Sequence, residues 1–111
     1  MSIFSQIISG EIATAKIYED EHCIVINDIN PVAAIHFLVI PKQAVRNLSE
    51  CHDKHQDLLG HLLLVAKKVA HDHGCEDNFK IVINNGSAAG QSVFHLHLHV
   101  LSGKINLNQL Q

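Results

Sequence analysis

Histidine recurs at every second position in the stretch Val93-Phe94-His95-Leu96-His97-Leu98-His99-Val100-Leu101. Side chains along a strand point alternately to its two faces. The spacing predicts a strand here, with His95, His97 and His99 on one face and Phe94, Leu96, Leu98 and Val100 on the other. Imidazole near neutral pH can act as nucleophile, proton carrier or metal ligand. His36, at the head of another apolar run, adds a fourth candidate. Two chemistries are open to these four: a metal held by a His-x-His pair with His36, or attack by one imidazole on a phosphorus or carbonyl centre while its neighbours position the reacting groups. A solvent-exposed histidine face is the third option, and the apolar row opposite argues against it.

The loop ahead of these histidines, Asn84 to Ser92, bears on the choice. Gly86 and Gly90 let backbone N–H groups turn inward. Asn84, Ser87, Gln91 and Ser92 offer side-chain hydrogen bonds. This composition suits an anion, although such a loop alone is more often a plain turn. It is not a Walker loop, because no Gly-Lys-Ser/Thr follows. Metal sites usually carry carboxylates as ligands or supports, and the chain has none after Asp77. Asp28, in the loop Asn27-Asp28-Ile29-Asn30-Pro31, is a candidate acceptor for sugar hydroxyls, with a turn residue as the plainer reading. The remaining histidines, His22, His52, His55, His61, His71 and His73, fall in a turn or on a helix and are expected to be solvated.

These groups need a scaffold, and the apolar pattern supplies one. Ser2 and Gly10 bracket a short helix bearing Phe4, Ile7 and Ile8, expected as a lid on the core. Strands are predicted over 16–19, 23–27, 36–40, 79–83 and 93–101, with Pro41 stopping the third. A long helix is predicted from about Asp53 to His73, closed by Gly74. Its Leu58, Leu62, Val65 and Val69 stripe, widened by Leu59, Leu63, Ala66 and Ala70, spans about 160°, more than one sheet face requires. The breadth suits a sheet on one side and another subunit on the other, and equally a loosely amphipathic helix in a monomer. The order βββαββ gives an α+β domain with a five-stranded antiparallel sheet, one long helix and a short N-terminal helix.

Composition narrows the partners. The 111 residues make one domain, with a tail over 104–111 expected to be loosely held. An apolar fraction of 47% and a charged fraction of 17% fit a compact soluble chain. The net charge of −3 and scattered lysines offer no stripe for nucleic acid. No run nears the ~20 apolar residues that cross a bilayer, and no signal peptide is evident. Cys23, Cys51 and Cys75 are irregularly spaced and odd in number, which points to reduced thiols and a cytoplasmic setting.

Taken together, the histidine run, Asp28-Ile29 with Pro31, His36-Phe37-Leu38-Val39-Ile40-Pro41-Lys42 and Gly90-Gln91-Ser92-Val93 resemble the histidine triad (HIT) family. The resemblance covers Ile3 to about Gly103 and is closest to the Hint branch of purine nucleoside phosphoramidases. It implies a metal-free, cofactor-free hydrolase of AMP-type conjugates with His97 as nucleophile. It also implies that His99 and Ser92 contact the phosphate and assist the leaving amine, while Asn84, Gly90 and Gln91 hold phosphate oxygens. Asp28 would accept the ribose hydroxyls, Ile29 would lie beside the nucleoside, and His36 and His95 would order the imidazoles. A homodimer joining two sheets is implied as well. Dinucleoside polyphosphate hydrolysis, or nucleotide binding with incidental hydrolysis, are the neighbouring functions. Three features depart from relatives: Ala88-Ala89 in place of Asp-Gly, Ser102 in place of glycine, and a tail without tryptophan or proline.

Overall fold

The computed structural model describes residues 2–103. The predicted tail over 104–111 lies outside the described residues. The chain begins with helix α1 (Ile3–Ser9), whose Ser2 cap accepts from the Ser5 N–H at 3.1 Å and whose end is turned by Gly10 at φ +88°. Strands β1 (Tyr18–Glu19), β2 (Cys23–Asn27) and β3 (Ile35–Pro41) follow. Helix α2 runs from Gln56 to Asp72, and β4 (Lys80–Val82) and β5 (Leu98–Ser102) complete the described residues. The five strands form one antiparallel sheet in the order β1-β2-β3-β5-β4, as the pattern predicts.

Alternation along the strands divides the apolar residues between two faces. Val25, Phe37, Val39, Leu98 and Val100 pack beneath α2 with Leu62, Val65, Ala66 and Val69. Ile24, Ile26, Leu38 and Ile40 face the other way and meet Phe4 and Ile7 of α1. Leu38 is paired with His99 in the β3–β5 register, so both stand on this second face. One side of the sheet is therefore a dry scaffold, and the other carries the chemistry.

Several boundaries differ from expectation. Asp53–His55 is a 3₁₀ turn rather than the first turn of α2. His55 is buried, not solvated, and its Nδ1 accepts the His52 N–H at 3.1 Å, which closes that turn. His61 also has a partner: its Nε2–H donates to Asp20 at 2.7 Å and ties the β1–β2 turn to α2. The largest difference lies in the histidine segment, where strand geometry begins only at Leu98. The antiparallel register would set Leu96 opposite Pro41, which has no N–H to give the Leu96 carbonyl. The Pro41 carbonyl accepts from the His95 ring, and the Leu96 N–H goes to the Val45 carbonyl at 2.7 Å. Leu96 stays in the α2 core, but Phe94 leaves the apolar row and is 37% exposed.

On α2, Leu63 and Leu64 lie on the outer surface, 47% and 66% exposed. No helix among the described residues is long and apolar enough to cross a membrane.

Candidate active site

The break in the strand separates the three histidines. His95 is buried, and its Nε2–H donates to the Pro41 carbonyl at 2.7 Å while its Nδ1 faces the Ser5 hydroxyl at 3.4 Å. It lines a different cleft from the other two. His97 and His99 share the wall of a cavity of about 520 Å³ between the sheet and α1. Asp28, Asn84, Gly90 and Ser92 line the same cavity, and apolar Phe4, Ile7, Ile26 and Leu38 close its floor and far side. Ile29 stands at the rim, 86% exposed.

Hydrogen bonding fixes where each proton sits. A carbonyl only accepts, so the 2.7 Å contact from His97 Nδ1 to the His95 carbonyl places the His97 proton on Nδ1. Nε2 of His97 then carries the lone pair. His36 Nδ1 accepts the Val32 N–H at 3.1 Å, which leaves the His36 proton on Nε2. That N–H donates to His99 Nδ1 at 2.9 Å and lies 3.3 Å from the Asp28 carboxylate. The His99 proton is thereby set on Nε2. One imidazole in the cavity is a base and its neighbour a donor, with ring centroids 5.1 Å apart. Phe4 meets the His97 ring edge-on at 5.0 Å, packing against the imidazole. The sequence showed Phe4 only as an apolar helix residue; no spacing signal connected it to the histidines.

Burial keeps these imidazoles neutral. It lowers His97, with the His95 carbonyl opposing in part. It pushes His99 down to about 4, reinforced by the neighbouring His97 and His36. It lowers His36 against the pull of Asp28. The unfolded chain, with ordinary histidine values, takes up protons that the folded chain refuses. Stability is thus full above about pH 6.5 and is lost as the pH falls from there towards 4. Denaturant unfolding should give a smaller free energy at pH 5 than at pH 7.5, and His99→Asn should flatten that dependence. Equal stability at both pH values would contradict it.

The loop places Gly90 at φ +98°, a conformation that glycine accepts readily, with Asn84 3.8 Å from where a Cβ would be. Gln91 does not present its side chain to the cavity. It is buried, its Oε1 accepts from the Gly86 N–H at 2.9 Å and from Asn47 at 3.3 Å, and its Nε2 donates to the carbonyls of Arg46 and Val93. Its N–H is also spent, on the Gly86 carbonyl. The expected contact of Gln91 with phosphate is corrected to that of an internal brace tying the loop at Gly86 and Val93 to Arg46 and Asn47. Gln91→Ala leaves several buried groups without partners, which costs about 1–3 kcal/mol for each unsatisfied group. Melting should fall by several degrees, and any turnover should fall with it; an unchanged melting temperature would refute the brace. Asp28 performs its turn role as well, accepting the Asn30 N–H at 2.8 Å.

Among the described residues, two groups could be considered for a metal. In Asp28, His36 and His99 the ligand atoms lie within 4.8 Å of one another. The His36 Nε2 proton occupies the space between them, and binding would require moving it and breaking the Val32 hydrogen bond. In Asp20, Cys23 and His61, the carboxylate already accepts from Tyr18, His22, Cys23 and His61. Burial and Asp20 push the Cys23 thiol up to about 12, so it is not a ready ligand. Neither set fits a metal as arranged.

The HIT domain model matches residues 9–106. The chain belongs to the HIT family. An uncharacterized HIT-like protein of Synechocystis is 52% identical over 103 residues, covering 93% of this chain and 90% of the relative. A 14 kDa zinc-binding protein of Zea mays is 44% identical, covering 93% of this chain and 82% of its own length. Among solved structures, a HIT family hydrolase from Legionella pneumophila superposes with a TM-score of 0.91 at 35% identity, covering 94% of both chains. A histidine triad nucleotide-binding protein from Candida albicans gives 0.84 at 33%, covering 94% of this chain and 76% of that one. The HIT fold and the cavity together support a nucleotide-hydrolysing or nucleotide-binding role.

Proposed function

We propose that this HIT protein hydrolyses the P–N bond of purine nucleoside 5′-phosphoramidates, adenosine ones included, through a nucleotidyl-His97 intermediate. The observation that carries the proposal is the His97 tautomer. Nδ1–H is committed to the His95 carbonyl, and the Nε2 lone pair is left for the cavity. Lowered by burial, His97 remains a neutral nucleophile at physiological pH.

In the first step, Nε2 attacks phosphorus and the P–N bond breaks. The amine departs with a proton passed by way of Ser92 and His99. The His95 carbonyl stabilises the positive charge that develops on the His97 ring. His99 Nε2–H, Ser92 and Asn84, with backbone N–H groups around Gly90, hold the phosphate oxygens as charge builds. Water then attacks phosphorus, breaks the P–Nε2 bond, releases the nucleoside monophosphate and returns the proton. Asp28 accepts the ribose hydroxyls beside Ile29, and the apolar wall of Phe4, Ile7 and Ile26 takes the purine. No step requires a metal, so the zinc in the maize relative's name has no part in this mechanism.

The test is turnover of adenosine 5′-phosphoramidate by the wild type, with and without chelator. Release of AMP unaffected by chelator supports the proposal. No turnover, or turnover restored only by zinc, overturns it. Hydrolysis of a dinucleoside polyphosphate at a higher rate would shift the assignment to that substrate class.

The same reading includes a homodimer. Leu63 and Leu64 form an exposed apolar strip on α2, and β4 is an edge strand. A second copy would cover both. Sedimentation at micromolar concentration should give twice the monomer mass, and Leu64→Glu should reduce it to the monomer. A monomeric wild type refutes the dimer.

A further inference from the structure

Phe94 belongs by spacing to the buried apolar row, yet it lies at the surface with the Arg46 guanidinium 4.2 Å above its ring. It follows Ser92 by two residues, a reach of at most about 7 Å along the chain. The nucleotide cavity adjoins a cleft of about 410 Å³, sharing Ile3, Ser92 and Val93 with it. That cleft adjoins a third, of about 490 Å³, across Ser2 and Phe94, with Arg46 and Glu50 on its walls. The three clefts share walls at Ser92 and then at Phe94, in an order that runs from the proposed reaction centre to the Arg46 cation.

We propose that Phe94 and Arg46 form the leaving-group subsite and favour amines that carry a carboxylate several bonds from the nitrogen. The inference rests on the phosphoramidase reading and names its substrate class. In an in-line displacement the amine leaves opposite His97 Nε2. Ser92 lines both the cavity and the next cleft, so the exit is on its side. An alkyl chain longer than a few atoms then lies across the exposed Phe94 ring. The planar guanidinium at the end of that series of clefts is suited to a carboxylate. Among the described residues, no ion pair within 4.0 Å engages Arg46. Its backbone is fixed, because its carbonyl accepts from Gln91 Nε2 at 2.9 Å. The brace of the phosphate loop therefore also sets where this side chain begins. Glu50 shares the third cleft and opposes an incoming anion, so its charge tempers the preference.

The test compares three adenosine 5′-phosphoramidates on the full chain: the unsubstituted amide, the n-hexylamine conjugate and the 6-aminohexanoate conjugate. At low salt the wild type should favour the carboxylate conjugate over hexylamine about fivefold in kcat/KM, the scale of one exposed charge pair. Arg46→Gln should bring that ratio to about one and leave turnover of the unsubstituted amide unchanged. Glu50→Gln should raise the ratio. Phe94→Ala should slow both long conjugates and spare the unsubstituted one. A wild-type ratio near one, or a ratio that survives Arg46→Gln, overturns the subsite while leaving the phosphoramidase reading intact. If the wild type turns over none of the three, the phosphoramidase reading fails and the subsite fails with it.

Discussion

Removing the His97 ring nitrogen should abolish turnover. His97→Ala is expected to lower kcat by about 10⁴-fold or more, the scale of losing a covalent nucleophile, or about 5 kcal/mol of barrier. Nucleotide affinity should be partly kept, because the phosphate donors, Asp28 and the apolar wall remain. Alanine has a second effect, since it leaves the His95 carbonyl without its donor. His97→Asn separates the two. The asparagine amide can still donate to that carbonyl but has nothing in place of Nε2. It should melt close to the wild type and be as inactive as alanine. Rapid acid-free quench of the wild type should trap an adduct of one nucleotidyl group on His97, absent in both variants. Residual activity above about one part in a hundred in either variant would refute His97 as nucleophile.

The second large effect concerns a residue placed to act through its neighbour. His36→Leu removes the N–H that holds His99 Nδ1 as an acceptor. His99 could then carry its proton on either nitrogen, and the donor facing the cavity would be present only part of the time. We expect kcat to fall about 100-fold, within the usual contribution of a positioned proton-transfer group, with KM changing much less. His36→Gln, which retains an N–H donor, should recover part of the loss. If leucine and glutamine behave alike, or if KM takes the whole effect, the positioning role is wrong.

The alternation along β5 showed which side chains would support the fold. Leu96, Leu98 and Val100 lie in the α2 core as the pattern required. What it could not show is where the strand would start, because Pro41 in a neighbouring strand has no N–H for the Leu96 carbonyl and gives its own carbonyl to the His95 ring. The separation of His95 from His97 and His99 and the exposure of Phe94 accompany that late start. Proton positions were equally out of reach, since they depend on backbone groups of His95, Pro41 and Val32 that residue spacing does not locate. Gln91 was misread for a related reason. A polar residue in a glycine loop looks alike whether it faces a ligand or folds back, and only the buried carbonyls around it decide. His55 and His61 show the same limit, each joined to a partner that its place in the sequence did not reveal.

The two-faced β5 strand makes this protein tolerant of one kind of change and brittle to another. Exchanging a side chain on either face alters the scaffold or the chemistry separately, so each can be retuned while the other is left alone. Inserting or deleting one residue between Leu98 and Ser102 would do both kinds of damage together. His99 would be driven under α2 and an aliphatic neighbour would take its place at the cavity. For anyone redesigning this protein, residue identity in that segment is an adjustable variable, and its length is not.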